Sequence, residues 1–482
     1  MAGTTAGREA MDDTTLKSSL VVFRNSQGHE LQGGLLRLSR HAAAFEVYSA
    51  DAVIRTSEIL QDFKIYSHER IVYSGHAVVR EVVNAGTVAI CEANLDDPGF
   101  DTDFFSSAAQ PAKLCERFDE FVGEWQKVCQ VRPEFKVAVA DLQTFLIDLR
   151  RWGEQIELGI RSSPQPDRLQ IENEAIEKLS PQVVAVINHL FARFEDITRS
   201  LDHESQPVHR SYAQRLLHPI VLCAPFAFRT YQKPLGYAGD YEMVNMMLRD
   251  PKEGGSLFAK IFNVWLLQQD SATAHRNRVQ FLRDRLVQET LRCSRLGRPM
   301  RILNLGCGPA GEIQQFMAEG ALADHAQFTL LDFNDETVNY TTRVLGELKR
   351  RLGRRTAIEV QKKSVHHVLK DSNRPVADVA ERGYDFVYCS GLFDYLSDRT
   401  CKQLMNIFWG WTRSGGLVLA TNVTPGSPNR GSLELLLDWH LNYRNADQFA
   451  TLTPNGAPAD GTRVYSDDTG VNIFLEARKS DV

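Results

Sequence analysis

A glycine-rich turn between a predicted strand and a predicted helix constrains the fold of this chain more than any other feature. The apolar strand Arg301–Leu305 runs directly into Gly306-Cys307-Gly308-Pro309-Ala310-Gly311, where a helix begins. Glycine is needed where a backbone turns sharply and lies against a ligand that a Cβ would displace. After the next predicted strand, the Asp332 carboxylate stands where it can accept hydrogen bonds from both ribose hydroxyls of a nucleoside, with Phe333 beside it. Together the two features predict a nucleoside site at one edge of an α/β sheet.

The sequence around this turn alternates between strands and helices. Further strands are predicted at 328–331, 357–360, 385–389 and 417–421, and helices at 311–319, 335–351 and 399–411. Such alternation is typical of a parallel sheet covered by helices on both faces. The end of the chain differs, because Thr462–Tyr465 and Asn472–Glu476 flank a turn and predict an antiparallel hairpin. We therefore predict an α/β domain over residues 296–482.

Other units precede this domain, as the length of 482 residues leads one to expect. Short runs rich in Val, Ile and Tyr, separated by turn residues, predict a small all-β barrel over residues 19–106. Apolar residues at three- and four-residue steps then predict a helical middle domain over residues 107–295, which includes a helix at Phe118–Val128. Residues 1–18 are polar and are predicted to form a disordered tail.

The composition excludes several classes of protein. The 55 basic and 61 acidic residues give a net charge of −6, the wrong sign for binding nucleic acid or anionic lipid through bulk charge. The longest nearly apolar run, Pro219–Phe228, is too short for an integral membrane segment, and Met1–Ser19 lacks the regions of a signal peptide. The 8 cysteines form no CxxC pair, which indicates reduced thiols. We therefore predict a cytoplasmic protein.

The glycine turn fits two kinds of cofactor. It satisfies the pattern of a dinucleotide-binding loop, but a single such loop late in the chain and a sheet that ends in a hairpin favour S-adenosylmethionine over NAD. The Gly-Cys-Gly-Pro loop followed by Glu312 resembles the first motif of class I S-adenosylmethionine-dependent methyltransferases. Many members of that superfamily have an acidic residue where this chain has Asn304, and we expect the amide to order the loop instead. The implied fold is a Rossmann-like sheet ending in an antiparallel hairpin.

The predicted cofactor-binding residues lie in the glycine turn, at the ends of the following strands and on the helix that precedes the domain. Ser364 and Val365 fall where the superfamily contacts the adenine edge, with a plain surface turn as the alternative. Within His275-Arg276-Asn277-Arg278, one arginine is expected to hold the carboxylate of the methionine moiety. The full predicted set is Asn304, Gly306, Cys307, Gly308, Gly311, Asp332, Phe333, Ser364, Val365, Ser390, Gly391 and Arg278.

A second informative segment, Tyr231–Val244, combines aromatic residues with Gly236, Gly239 and Asp240 directly before a predicted helix. One interpretation is a structural loop in which Asp240 caps that helix. The other is a lid over the cofactor and the methyl acceptor, in which Tyr237 or Tyr241 hydrogen-bonds the acceptor.

Four segments together resemble a more specific family. They are Gly236–Tyr241, the Gly306–Pro309 loop, Ser390–Tyr395 and Trp439–Arg444, and they are similar to bacterial methyltransferases of 3-hydroxypalmitic acid methyl ester (extracellular factor) biosynthesis. The resemblance spans residues 205–478. It implies methylation of the carboxyl group of a (3-hydroxy) fatty acid, giving a methyl ester signal for quorum sensing. The implied catalytic residues are Tyr237, Asp240, Tyr395 and Arg444, with the apolar helix Phe258–Leu267 lining a channel for the acyl chain.

The sequence also bears on the kind of acceptor. A carboxylate is already ionised at neutral pH and needs no general base, whereas an alcohol or phenol would need a base or a metal beside it. No His–carboxylate pair stands out by spacing, which agrees with esterification. No metal site is predicted, because His366 and His367 are adjacent residues that do not share a helix face.

The N-terminal barrel resembles a PilZ-like domain in its strand pattern. Where that family has Asp/Asn-x-Ser-x-x-Gly for cyclic di-GMP, this chain reads Arg37-Leu38-Ser39-Arg40-His41-Ala42, which keeps only the serine, and no RxxxR precedes it. We therefore do not expect cyclic di-GMP to bind. The main hypothesis is an O-methyltransferase with a small-molecule acceptor, and a homodimer is included among its partners. The alternative is a regulatory protein in which a PilZ-like sensor controls a methyltransferase-like ligand-binding domain.

Overall fold

The computed structural model describes residues 19–39, 41–47, 54–67, 70–85, 88–95, 122, 131–371 and 383–481. Within this part of the chain a β-barrel, a group of helices and a mixed sheet follow one another along the sequence, which confirms the predicted three-part architecture at that level. The predicted tail 1–18 and Arg40 of the PilZ-like comparison lie outside the described residues, as does the predicted helix 118–128 apart from Val122. No helix in the described ranges is both long and apolar enough to cross a membrane.

The N-terminal strands close into an antiparallel barrel in the order β1-β2-β3-β6-β5-β4. Side chains that alternate along each strand point inward and fill the barrel with apolar residues. Phe23, Phe45 and Phe63 lie at the centre of this core, with ring centroids 5.4 to 5.8 Å apart. The strands are β1 Leu20–Arg24, β2 Glu30–Leu38, β3 Ala42–Val47, β4 Ile59–Ser67, β5 Arg70–Ala85 and β6 Val88–Leu95.

Helices form the middle of the described chain and share one core, in which Phe135, Phe194 and Trp265 are fully buried. Leu435–Leu437, from the C-terminal part of the sequence, packs into the same core. The helices are α1 Pro133–Ser162, α2 Arg168–Arg199, α3 Gln206–Val221, α4 Pro225–Gln232, α5 Tyr241–Leu248, α6 Leu257–Gln268 and α7 Asp270–Arg295.

The C-terminal part contains a seven-stranded sheet in the order β12-β13-β11-β10-β7-β8-β9. Strands β7 to β11 are parallel, whereas β13 pairs antiparallel with β11 and with β12. The terminal hairpin is therefore present as predicted. The strands are β7 Met300–Leu305, β8 Ala326–Asp332, β9 Ala357–Lys362, β10 Tyr384–Cys389, β11 Thr412–Val423, β12 Thr462–Ser466 and β13 Asn472–Arg478.

The helices of this part accompany the strands, and their order fixes where a ligand can bind. The chain builds β7, β8 and β9 outward in one direction and then returns to place β10 on the other side of β7. The strand order therefore reverses between β7 and β10, and such a switch point opens a crevice at the carboxyl ends of the strands. The helices are α8 Gly311–Glu319, α9 Asp335–Leu352, α10 Val365–Asp371, α11 Asp398–Trp411 and α12 Ala446–Ala450.

Candidate functional site

A cavity lies at the carboxyl ends of β7, β8 and β10, at the switch point of the sheet. The glycine turn, the loops after β8 and β10, the α4–α5 connection, helix α7 and two barrel residues form its walls. The predicted cofactor-binding residues in these walls are Asn304, Gly306, Cys307, Gly308, Gly311, Asp332, Phe333, Val365, Ser390, Gly391 and Arg278. The structure thus gathers residues that are far apart in the sequence around one space.

The glycine turn has left-handed backbone at three points, with φ of 73° at Gly306, 51° at Gly308 and 52° at Ala310. Helix α8 then begins at Gly311 without a side-chain cap. An uncapped helix start leaves backbone N–H donors and the positive end of the helix dipole for a ligand. The turn can therefore accept a polar or anionic group.

Asp332 lies at the end of β8 and is 6% exposed. One carboxylate oxygen accepts a hydrogen bond from the Gly308 N–H (3.2 Å), and the other accepts from the Asn334 N–H (3.1 Å). Burial raises the pKa of Asp332, and these bonds act against that shift. Each carboxylate oxygen keeps accepting capacity, so the side chain can also take two hydroxyl donors. Phe333 follows directly and lines the same wall.

Arg278 of α7 lines the same cavity, beside Asp394 and Glu312 rather than Asp332. Its side chain is 7% exposed, its Nη1 has no hydrogen-bond partner, and it forms no salt bridge among the described residues. Burial lowers the pKa of Arg278, while the charges of Asp394 and Glu312 raise it. A Cβ on Gly391 would lie 3.1 Å from Nη2, so glycine lets the loop after β10 approach the guanidinium closely. A buried guanidinium with a free N–H is a site for a carboxylate.

Glu312 lies in the first turn of α8 and its carboxylate also lines the cavity. It accepts hydrogen bonds from the Tyr388 hydroxyl (2.6 Å) and from the Asn304 amide (3.3 Å). Burial raises the pKa of Glu312. Asn304 therefore donates to the acidic side chain of Glu312, whereas an acidic residue at position 304 could not. This explains physically why an amide stands at this position. Glu312 was part of the quoted motif but not of the predicted site.

Aromatic and titratable residues surround the remaining part of the cavity. The Tyr395 hydroxyl accepts a hydrogen bond from the Trp439 indole (2.9 Å), and burial raises the pKa of Tyr395, which keeps the phenol protonated. A Cβ on Gly239 would lie 2.5 Å from this hydroxyl, so the α4–α5 connection requires glycine there. His275 and Asp394 lie on the same side of the cavity. Both lie in segments that the sequence analysis singled out, His275–Arg278 and Ser390–Tyr395, but neither was in the predicted set of site residues.

His275 and Asp394 differ in their capacity to accept a proton. Burial lowers the pKa of His275 to about 3, and its Nδ1 donates to the Ser271 carbonyl (2.8 Å). Burial raises the pKa of Asp394 to about 6, while Arg278 and the Val423 N–H act against that shift. Near neutral pH Asp394 is therefore the stronger base of the two.

The barrel contributes Arg55 and Thr56 to the same cavity. The Arg55 guanidinium lies over the Phe333 ring, 4.0 Å from its centroid, and the Tyr237 ring is 5.0 Å from Phe333. Nothing in the local sequence of Arg55 predicts this position, because the contact joins residues that are far apart in the chain.

Two of the predicted catalytic residues do not line the cavity. Asp240 caps α5 by accepting from the Met243 N–H (2.8 Å) and pairs with Arg229 (2.9 Å), as the structural-loop interpretation expects. Arg444 is 3% exposed and donates to the Asn422 amide oxygen and to the Phe393 and Leu396 carbonyls. Both side chains are occupied in holding loops together, and we correct their predicted role accordingly.

The positions of further residues in the structure correct three other predictions. Ser364 does not line the cavity, since its hydroxyl is bonded to His367 Nδ1 (2.7 Å) at the start of α10. The predicted channel helix 258–267 belongs to α6, which lies mostly in the helical core; Leu267 packs in the same apolar cluster as Trp439, but no α6 residue lines the cavity. Tyr237 does line the cavity, but at the Asp332–Phe333 end, and the Tyr241 hydroxyl donates to Glu336 (2.7 Å).

One group of potential metal ligands occurs in the described part of the chain. Glu81, Glu92 and His203 bring ligand atoms within 4.8 Å of one another, on the outside of the barrel. Glu92 already pairs with Arg37 (3.3 Å) and Arg80 (3.7 Å). We assign no metal to this group.

The barrel docks on the C-terminal part of the chain through buried polar contacts. The Ser57 hydroxyl donates to the His440 carbonyl (2.8 Å), and Asn94 Nδ2 lies 3.2 Å from His440 Nε2. An amide nitrogen donates, so Nε2 accepts and the ring is neutral. Burial lowers the pKa of His440 to about 3; the charge of Asp438 acts against that shift, and the charges of Arg80, Arg210 and Lys233 add to it.

This histidine gives the interface a dependence on pH. The unfolded chain binds a proton below the ordinary histidine pKa of 6.5, whereas the folded chain does not until about pH 3, so stability falls as the pH decreases through this window. We expect protonation linked to His440 to lower the free energy of unfolding by roughly 2 kcal/mol between pH 6.5 and 5. The melting temperature of His440→Gln should then fall less than that of the wild type between pH 7 and 5. The exposed His325→Gln serves as control, and equal pH dependence in all three proteins would contradict the assignment.

Comparisons with known proteins give structural neighbours only. No protein-family model matches the chain, and no curated protein matches it. Among solved structures, a possible exported protein from Bordetella parapertussis is 17% identical, with a TM-score of 0.40 over 66% of this chain and 99% of that chain. Magnesium protoporphyrin IX methyltransferase from Synechocystis PCC 6803, with bound S-adenosylhomocysteine, is 9% identical, with a TM-score of 0.33 over 56% and 99%.

A third structure is the N-methyltransferase NodS from Bradyrhizobium japonicum WM9 in complex with S-adenosylhomocysteine. It is 12% identical, with a TM-score of 0.30 over 52% of this chain and 98% of that chain. With identities and TM-scores this low, what the present chain binds has to be argued from the residues of its own cavity.

Proposed function

We propose that this chain is an S-adenosylmethionine-dependent O-methyltransferase that methylates the carboxyl group of an apolar acid, with a (3-hydroxy) fatty acid as the substrate class. The observation that carries the proposal is that a buried acid, Asp332, and a buried arginine with different neighbours, Arg278, line one cavity at the switch point of the sheet. A buried acid can accept from two ribose hydroxyls, and a buried, incompletely bonded guanidinium can hold a carboxylate.

The residues present fit the proposed cofactor. Arg278 Nη1 is a buried donor without a hydrogen-bond partner among the described residues, and such a group is costly to bury until a partner arrives. Glu312 is an acceptor that lies close enough to Arg278 for their charges to interact. A ligand that carries both an ammonium and a carboxylate requires such an acceptor beside a cation. When bound, S-adenosylmethionine supplies an electrophilic methyl group. The chain's task is then to hold an electron-rich acceptor atom in line with it.

Tyr395 supports a carboxylate as that acceptor. Its oxygen already accepts from the Trp439 indole, so its own O–H remains to donate to an acceptor oxygen. Burial and the Asp394 charge raise the pKa of Tyr395, and a protonated phenol is the form that can orient a carboxylate. His275, with a pKa of about 3, is too weak a base for an alcohol, and a carboxylate needs none.

The walls beyond Tyr395 support an apolar acceptor. Val423, Trp439 and Leu441 line the main cavity and also a smaller adjoining cavity, which continues between Leu433, Tyr443 and Val471. This route replaces helix α6 as the proposed path for an acyl chain, and its side chains must move apart to admit one, because the adjoining cavity measures only about 10 Å³. Burial of each methylene along it would contribute about 0.8 kcal/mol to binding.

A second candidate reaction is methylation of a hydroxyl group, and one observation favours it. Asp394 lines the cavity with a pKa of about 6, which suits a general base near neutral pH. In that case Asp394 would take the proton of an alcohol or phenol. The nature of the product distinguishes the two reactions.

The test is to incubate the protein with methyl-labelled cofactor and a 3-hydroxy fatty acid, and then to treat the product with mild alkali. We expect the label to be released as methanol, because a methyl ester is cleaved under these conditions. Alkali-stable label would indicate an ether or an N-methyl product and would contradict the carboxyl assignment. Cofactor binding with no turnover of any cellular lipid extract would favour the regulatory alternative.

A further inference from the structure

The segment 54–58, which leads into β4, brings Arg55 of the barrel into the cavity. Arg55 is 3% exposed, its Nε has no hydrogen-bond partner among the described residues, and no salt bridge neutralises it there. Its guanidinium lies over Phe333, directly after the proposed ribose acceptor Asp332. Such a group is costly to bury without a ligand.

Residues 55–59 are held in place by contacts on both sides. Within the barrel, Glu58 is 1% exposed and accepts from the Arg55 N–H (2.8 Å) and from the Ser26 N–H (2.8 Å). Towards the other domains, the Ser57 hydroxyl bonds the His440 carbonyl (2.8 Å), and the Ile59 N–H donates to the Gly236 carbonyl (2.8 Å). Ser57 has a φ of 62°, a left-handed conformation that a non-glycine residue keeps only when its surroundings fix it.

We propose that Arg55 is a cofactor-binding residue and that the barrel thereby completes the adenosine half of the site. This rests on the proposed function above. The two buried arginines divide the cavity between them: Arg55 interacts electrostatically with Asp332 and Tyr237, whereas Arg278 interacts with Asp394, Tyr395 and Glu312. Arg55 can therefore donate from Nε to a ring nitrogen or ribose oxygen of adenosine, or stack on the base.

This arrangement gives the barrel a role that does not require a nucleotide second messenger. Without the barrel, the ribose end of the cavity would lose one wall, since Arg55 and Thr56 both line it. The contact from Ile59 to Gly236 also links the barrel to the α4–α5 connection that carries Tyr237 and Gly239. Cofactor binding and docking of the barrel are thus coupled.

The test uses the full-length protein and two ligands, S-adenosylhomocysteine and 5′-methylthioadenosine, which lacks the amino-acid moiety. We expect Arg55→Gln to weaken both ligands by the same factor, about 10-fold for one lost charge-assisted hydrogen bond, and Arg55→Lys to weaken them less. Arg24→Gln is the matched control, since Arg24 is an exposed barrel arginine that pairs with Asp62 and does not line the cavity.

A measurement on the wild type guards against a variant that fails to fold. Hydrogen exchange at residues 54–59 should slow when either ligand binds, whereas exchange at β2 should not change. Wild-type affinities in a folded Arg55→Gln variant, or unchanged exchange at 54–59 on ligand binding, would overturn this inference alone. If the wild type binds neither ligand, the proposed function itself fails and the inference falls with it.

Discussion

Asp332→Ala abolishes binding of S-adenosylhomocysteine at concentrations that saturate the wild type, if the cavity holds the cofactor as proposed. The substitution removes the acceptor of both ribose hydroxyls, and each hydrogen bond to a charged group contributes about 1.5–3 kcal/mol. The loss should therefore exceed roughly 100-fold in affinity. Calorimetric titration of the folded variant measures it directly.

A nearby aspartate provides the control for this experiment. Asp335 lies three residues further on, in the first turn of α9, where it is exposed and pairs with Lys362 (2.6 Å). Asp335→Asn should retain wild-type affinity, because its side chain does not line the cavity. Equal affinity in wild type and a folded Asp332→Ala variant would show that the nucleoside site has been misplaced.

The features that sequence analysis predicted well are those with local causes. Helix α8 runs from Gly311 to Glu319 as predicted, because the glycine turn ends one element and begins the next within a few residues. Asp332 and Phe333 follow the next strand in the same way, and the carboxyl ends of parallel strands necessarily meet. The topology of the sheet therefore brings the two segments that were predicted from local sequence to the same cavity.

The features that it missed depend on contacts between distant segments. Arg55 reaches Phe333 only because the barrel docks through Ser57 on the segment around His440. Arg444 has the residue type of an acceptor ligand, but the fold surrounds it with carbonyl oxygens. Helix α6 is apolar on nearly every side, which is typical of a core helix as well as of a channel wall, and periodicity cannot separate the two.

The fatty-acid substrate, the cytoplasmic location, the homodimer and the absence of cyclic di-GMP binding remain predictions from the sequence. In the described barrel, Arg37 is exposed and pairs with Glu92 (3.3 Å).

Substitutions of Arg278 and Arg276 distinguish binding of the amino-acid half of the proposed cofactor from binding of its adenosine half. Both lie on α7, but Arg276 is bonded to the Met247 carbonyl (3.2 Å) and the Thr273 hydroxyl (2.9 Å), while Arg278 faces the cavity with a free N–H. We expect Arg278→Gln to weaken S-adenosylhomocysteine by about 100-fold, since a bidentate guanidinium–carboxylate pair makes two charge-assisted bonds.

The decisive comparison is between the affinities for S-adenosylhomocysteine and for 5′-methylthioadenosine, which lacks the carboxylate. Arg278→Gln should bind 5′-methylthioadenosine as the wild type does, and Arg276→Gln should bind both ligands as the wild type does. A variant that had merely lost its structure would weaken both ligands together, so unequal effects exclude that explanation. If instead a folded Arg278→Gln variant weakens the two ligands equally, the guanidinium does not hold the amino-acid carboxylate, and the assignment of Arg278 to that half of the cofactor is wrong.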